Sequence, residues 1–185
     1  MSRLEIRRTS DGGVEAAYTD YAAIASCLAG LGVRFERWQA AQPLPVDSTQ
    51  EDVLEAYGEP IDRLSREYGF QSVDVVSLRP DHPQKAELRS KFLAEHVHAD
   101  FEVRFFVDGS GLFYLHAGDS IYLVLCEQGD LISVPADTPH WFDMGENPDF
   151  KCIRLFTVAE GWVAQFTESG IAERFPSYDQ FVTAA

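Results

Sequence analysis

The stretch EHVHADFEVRFFVDG, residues 95–109, sets His96, His98 and Glu102 at even spacings, and each offers an atom that divalent metals accept. In an extended strand, residues at even spacing share a face. These three and Arg104 would then point together, while Val97, Ala99, Phe101, Val103 and Phe105 point away. Parity permits a common site, but reach does not. At about 3.3 Å per residue, a straight strand would hold the Cα atoms of His96 and Glu102 roughly 20 Å apart. One ion can bind all three only if the chain bends near Ala99 and Asp100 and returns Glu102 on a second strand beside the histidines. A fourth ligand is offered by EQGDLISVPADTPHWF, where a turn, an apolar strand and a proline-bounded loop deliver His140. Three imidazoles and one carboxylate suit a borderline metal in six-coordinate geometry, with two positions left for a chelating substrate. Zinc, which usually completes a tetrahedron, suits the set less well. A lone H-x-H pair is more often polar surface or a satisfied buried histidine. Glu102, Gly109 and the G-x5-P-x4-H segment ending at His140 lift this pair above that reading. His82, at a proline-flanked helix start, and His116, at a turn, read as ordinary solvent-facing polar residues.

The elements that must position these side chains change character near residue 95. Before it the chain is mixed. LEIRR (4–8), VRFERW (33–38) and SVDVVSL (72–78) read as strands, and YAAIASCLAGL (21–31), IDRLSREYG (61–69) and PQKAELRSKFLAEH (83–96) as helices. In DSTQEDVLEAYG, Ser48 precedes Glu51 at capping-box spacing, and that helix is expected to stop around Gly58 and Pro60. From residue 101 the chain is nearly all strand. EVRFFV, LFYLH, IYLVLC, LISVP and FKCIRLFTV are separated by the turn-rich DGSG, AGDS, EQGD and GENPD, the meter of an antiparallel sandwich or barrel. The tail GWVAQFTESGIAERFPSYDQF is expected to be partly helical, with its Trp and Phe residues packed back on the barrel.

Composition bounds the function. With 185 residues, 45% hydrophobic, the chain is long enough for one compact domain with a real core. We divide it into a mixed N-terminal part (1–94), a barrel core (95–160) and a tail (161–185). A net charge of −15 repels phosphate backbones and anionic headgroups, so nucleic acid and membrane surfaces are poor partners and a small molecule is favoured. The start MSRLEIRRTSDGG lacks the apolar core of a signal peptide, and no apolar run approaches a membrane span, so a soluble, cytoplasmic protein is expected. Cys27, Cys126 and Cys152 are odd in number and lack C-x-x-C spacing, which predicts buried free thiols. No exposed apolar seam is evident, so a monomer is expected.

HVHADFEVRFFVDG together with GDLISVPADTPH resembles the two motifs of the cupin superfamily, through His96, His98, Glu102, Gly109, Gly129, Pro135 and His140. EVRFFVDGSGLF, FKCIRLF, GWVAQFTESGIAERFPSYD and VRFERW narrow the resemblance to the bacterial acireductone dioxygenase family, over nearly the whole chain. Two departures from the general cupin pattern are Asp137, where a glycine is common, and Met144, where an asparagine often stands. The resemblance implies a mainly β fold, the cupin double-stranded β-helix (jelly-roll) barrel with peripheral helices from the N-terminal half. It implies dioxygen cleavage of an acireductone, 1,2-dihydroxy-3-keto-5-methylthiopentene, in methionine salvage, with one Fe(II) or Ni(II) per chain held by His96, His98, Glu102 and His140. In the family the iron form gives formate and the keto acid precursor of methionine, and the nickel form gives carbon monoxide, formate and methylthiopropionate. The family's anion-contacting arginines match Arg104 and Arg154, the latter mid-strand among apolar neighbours, and its pocket aromatics match Phe92 and Phe142. The alternatives are an ion pair with a carboxylate for each arginine and plain core packing for each ring. Rival readings of the whole are another cupin dioxygenase, a zinc-dependent sugar isomerase, and a non-enzymatic metal-binding cupin.

Overall fold

Strands and helices are mixed through the first half of the chain in the computed structural model, which describes residues 1–45, 47–158 and 163–184. They are β1 (Arg3–Arg8), β2 (Val14–Tyr18), α1 (Tyr21–Ala29), β3 (Arg34–Arg37), α2 (Gln50–Ala56), α3 (Gly58–Tyr68), β4 (Ser72–Leu78) and α4 (Lys85–Phe92). Asp20 starts α1 by accepting a hydrogen bond from the Ala23 amide. Several expected boundaries move: α3 starts at Gly58, ahead of the expected Ile61, and carries Pro60 in its first turn, where a proline is tolerated. The capping box of α2 is Thr49 with Asp52, because the Asp52 carboxylate accepts from the Thr49 amide at 2.8 Å while the Ser48 hydroxyl donates back to the Pro45 carbonyl. α4 is confined to Lys85–Phe92, since the residues after it must enter an extended strand at His96. β2 had no counterpart in the sequence reading; it is short and largely exposed, so it lacks an apolar alternation.

The second half supplies β5 (His96–Val97), β6 (Glu102–Ala117), β7 (Ser120–Glu127), β8 (Asp130–Val134), β9 (His140–Asp143), β10 (Phe150–Phe156), β11 (Gln165–Phe166), a 3₁₀ turn at Ile171–Arg174 and α5 (Tyr178–Thr183). All pairings are antiparallel. One sheet runs β11-β5-β9-β6-β7-β1-β2; the other joins β4-β10-β6-β8-β3, so β6 belongs to both. This is the mainly β jelly roll with peripheral helices that the motifs imply. The DGSG segment is therefore not a turn: EVRFFV and LFYLH are two halves of one strand.

The crossing point explains how β6 serves two sheets. Opposite β10 the register jumps, so that Lys151 faces Asp108 but Cys152 faces Phe106, leaving Val107 as an extra residue. Below that bulge the even residues Glu102, Arg104 and Phe106 face the barrel interior; above it the odd residues Phe113 and Leu115 do. Gly109 has φ 72°, and a Cβ there would lie 1.9 Å from the Asp149 carbonyl oxygen, so no other residue fits the bend.

The outward face of the first half of β6, with Val103, Phe105 and Val107, packs under α2 and α3 through Val53, Ala56, Tyr57, Ile61 and Leu64. The outward face of its second half, with Leu112 and Tyr114, is covered by Ile171, Phe175 and Phe181 of the tail. Tail packing therefore follows expectation for Phe175 and Phe181 but not for Phe166, which is 53% exposed; Trp162 lies outside the described residues, as do the last two positions of the 95–160 segment. Cys126 and Cys152 are buried free thiols, and burial pushes Cys152 up to about 12, while Cys27, packed at the edge of the core, is only partly buried. No helix among the described residues is long and apolar enough to cross a membrane.

Candidate metal centre and substrate cavity

His96, His98, Glu102 and His140 meet at one end of the barrel. Their ligand atoms all lie within 4.8 Å of one another, and every one of the four residues is buried. The bend expected at Ala99 and Asp100 is present: β5 ends at Val97, and the Asp100 carboxylate accepts from the Phe101 and Thr157 amides to hold the corner. β5 is nevertheless not paired to the strand carrying Glu102. It pairs with β9, where His96 stands directly opposite His140, while Glu102 stands opposite Val134 of β8. The four ligands thus come from both sheets and converge across the barrel.

Each imidazole is aimed by its far nitrogen. Nδ1 of His96 lies 2.8 Å from the Ala94 carbonyl, Nδ1 of His98 3.1 Å from the Val163 carbonyl, and Nδ1 of His140 2.7 Å from the Thr138 carbonyl. A carbonyl can only accept, so Nδ1 carries the proton and Nε2 is left to the centre, the arrangement that metal-binding histidines need. Glu102 Oε2 sits 3.0 Å from Nε2 of His98 and 3.1 Å from Nε2 of His140. Burial pushes His96 down to about 4, which keeps it neutral and available as a ligand. Burial opposes charge on Glu102 as well, but the Arg104 guanidinium beside it holds the carboxyl well below its usual range. A borderline divalent cation matches this donor set.

His96, His98 and Glu102 open onto a cavity of about 650 Å³ whose wall includes Arg104, Arg154, Asp74, Phe92, Phe156 and Phe166. Arg104 is 4% exposed, its Nε 2.9 Å from Glu102 Oε1, and its guanidinium lies among the rings of Phe92, Phe113 and Phe142, nearest Phe142 at 4.5 Å. Phe92 faces the cavity, whereas Phe142 is 1% exposed and packs beneath Arg104. Arg154 reaches the same cavity and also makes the carboxylate pair that was its alternative, with Asp74 at 2.9 and 2.6 Å. A second cavity, about 460 Å³ on the outer side near Lys151 and Asp108, gathers none of the four ligand residues.

Sequence reasoning missed three participants. Asp74 is a lone charge inside SVDVVSL, the same signal that marked Arg154 in FKCIRLF. Glu95 is buried beside His96, and its carboxylate receives Thr167 Oγ1 at 2.5 Å and Ser169 Oγ at 2.7 Å. With β11 paired to β5, this ties residues 163–169 across the site, bringing the Val163 carbonyl to His98 and the Phe166 ring within 5.9 Å of His96. The third is His116, not a solvent-facing turn residue but a strand residue whose Nδ1 lies 2.6 Å from Glu95 Oε1. Nothing local in the sequence links these positions. The cupin departure at Asp137 proves conservative in shape: its φ of 59° is the left-handed conformation a glycine would take, and aspartate tolerates it better than most residues. Met144 fills the core.

A family model described as the ARD/ARD' family matches residues 17–164. The acireductone dioxygenase of Methylococcus capsulatus is 56% identical over 98% of this chain and 98% of its own length. That of Pseudomonas aeruginosa is 63% identical over 83% of this chain and 84% of its own. Among solved structures, acireductone dioxygenase from Bacillus anthracis with cadmium ion in the active center superposes with a TM-score of 0.78 at 30% identity, covering 88% of this chain and 98% of that one.

Proposed function

The chain belongs to the ARD/ARD' family, and on that premise we propose that it is an acireductone dioxygenase of methionine salvage, with His96, His98, Glu102 and His140 holding one Fe(II) or Ni(II). The observation that carries this reading is the convergence of four buried ligand atoms, with each histidine locked by a backbone carbonyl onto the tautomer a metal requires. A bound dication supplies Lewis acidity and a template for an enediolate and dioxygen.

The protein's own groups account for the rest. Within the cavity two arginines, Arg104 and Arg154, balance two carboxylates, Glu102 and Asp74, and the further cation on its wall, Lys91, is paired outside it with Glu87 at 2.9 Å, so a dication leaves the centre with two positive charges against the two negative charges of a fully deprotonated enediol. Arg104 stays charged and offers a planar fork that hydrogen-bonds enolate oxygens without competing for the metal. Its depth among three rings removes water that would screen that interaction. Phe92 and Phe156, with Phe166 at the mouth, give the methylthio side chain an apolar wall. The second reading, a cupin that holds a metal only for structure, would not need two arginines in the same cavity as the ligands.

Anaerobic mixing of the metal-loaded protein with synthetic acireductone, followed by admission of air, tests the assignment. Enzyme-dependent dioxygen uptake is expected, and it should vanish when the metal is stripped. Equal uptake with and without metal would remove the assignment.

A further inference from the structure

We propose that Asp74 is a positioning residue for substrate binding, acting through Arg154; the inference rests on the reading of Arg154 as an enediolate contact. Asp74, Arg154 and Arg104 are direct cross-strand partners on β4, β10 and β6, one row across three strands. The parity of each strand sends that row inward. On β4, Val73 and Val75 pack outward against the helices and Val76 inward, so Ser72 and Asp74 face the cavity, as Arg154 and Arg104 do on their strands.

The two arginines are held in different ways. Arg104 is immobilised by burial among three rings, with the Glu102 carboxylate 2.9 Å from its Nε. Arg154 stands nearer the mouth with 28% of its side chain exposed, and Asp74 grips it along one edge, taking Nε at 2.9 Å and Nη2 at 2.6 Å, with the Phe156 ring 5.3 Å from its guanidinium carbon. A bidentate carboxylate fixes both the position and the plane of a guanidinium. Without it, the long side chain would sample solvent-facing rotamers that substrate binding must then freeze out. Asp74 is itself 41% exposed, and ion pairs that open to solvent add little to folding stability, so the consequence of the pair is expected in binding, not in thermal stability. The side chain that is ordered before the substrate arrives need not be ordered by it.

The test compares Asp74→Ala and Asp74→Asn with the wild type in metal-loaded protein, alone and in an Arg154→Ala background, with metal content and melting temperature measured on every sample. In both single variants KM for acireductone should rise roughly three- to tenfold, the cost of freezing one rotamer-rich side chain, with kcat within about twofold and metal content unchanged. In the Arg154→Ala background the same substitutions should add nothing. An unchanged or lowered KM, or an equal rise in both backgrounds, overturns the inference. Full activity of Arg154→Ala overturns it together with the substrate role of Arg154. Absence of acireductone-dependent uptake by the wild type marks a failure of the proposed function instead.

Discussion

His98 shows what a single ligand position must satisfy: one ring nitrogen on the Val163 carbonyl, the other 3.0 Å from Glu102 Oε2, and burial that excludes water from both. The same holds for His96 and His140, so each imidazole is a ligand whose orientation is fixed before the metal arrives. Replacing His96, His98 or His140 by alanine is expected to abolish bound metal and activity together, measured as metal per chain and dioxygen uptake on one preparation; retention of full metal by any variant would remove that residue from the set. Glu102→Ala leaves three imidazoles, so activity should fall further than occupancy. Arg104→Lys separates binding of metal from binding of substrate. Lysine keeps the charge but loses the planar fork, so metal content should hold while kcat/KM falls about a hundredfold, the scale of losing one preorganised donor. At this scale the sequence was informative where chemistry is carried by residue type. His96, His98, Glu102, His140 and Arg104 announced themselves because metal ligands and inward arginines are rare in strands. Asp74 and Glu95 did not, because a carboxylate means nothing until its partner is known, and their partners Arg154 and Thr167 lie far along the chain.

Elements place those residues, and the decisive ones here are irregular. The extra residue in β6 before Gly109 inverts which side chains face inward, which lets one strand give Glu102 and Arg104 to the cavity and Phe113 and Leu115 to the core. Alternation predicted two strands because a bulge reads in sequence as a break: glycines at 109 and 111 look like a hairpin turn until the register across to β10 is known. The join between α4, β9 and α5 is similarly long-range. Asp143, fully buried, accepts from Arg89 at 2.7 and 3.0 Å and from the Gly145 and Tyr178 amides, so one carboxylate ties the helix behind the site to the strand of His140 and to the tail. Burial opposes its charge, but Arg89 and the two amides hold its pKa below the usual carboxylate value. A group whose pKa is depressed on folding contributes stability that is present above its unfolded value, near 3.9, and is lost as pH falls through the folded value. Asp143→Asn should therefore cost about 3 kcal/mol at neutral pH. The deficit should shrink as the pH is lowered below about 4, read as urea midpoints of metal-free wild type and variant. A deficit that stays constant into acid would show that the carboxylate charge is not what matters.

At the scale of the molecule, two sheets sharing β6 form a barrel whose outer faces are closed by α2 and α3 on one side and by the tail on the other, with a mouth above the ligand residues. Most of the strands and the N-terminal helices were legible because apolar periodicity sets them locally; the order of the strands in the sheets was not, nor was the mouth, because β11 is only two residues, Gln165 and Phe166, both exposed, and is defined by its pairing with β5. A net charge of −15 around a positively balanced centre means that an anionic substrate is drawn by the cavity and not by the surface, so affinity should depend on the two arginines and the metal. On the proposed function the chemistry is then directed by the ion, since among the described residues no nucleophile–base pair stands beside the ligands. The most direct measurement strips the metal from one preparation, reconstitutes it separately with Fe(II) and Ni(II), admits air to an anaerobic mixture with acireductone, and follows dioxygen uptake and products. The expected result is uptake by both reconstituted forms and none by the stripped protein, with formate and the keto acid from the iron form and carbon monoxide, formate and methylthiopropionate from the nickel form. No uptake by either reconstituted form would contradict the account.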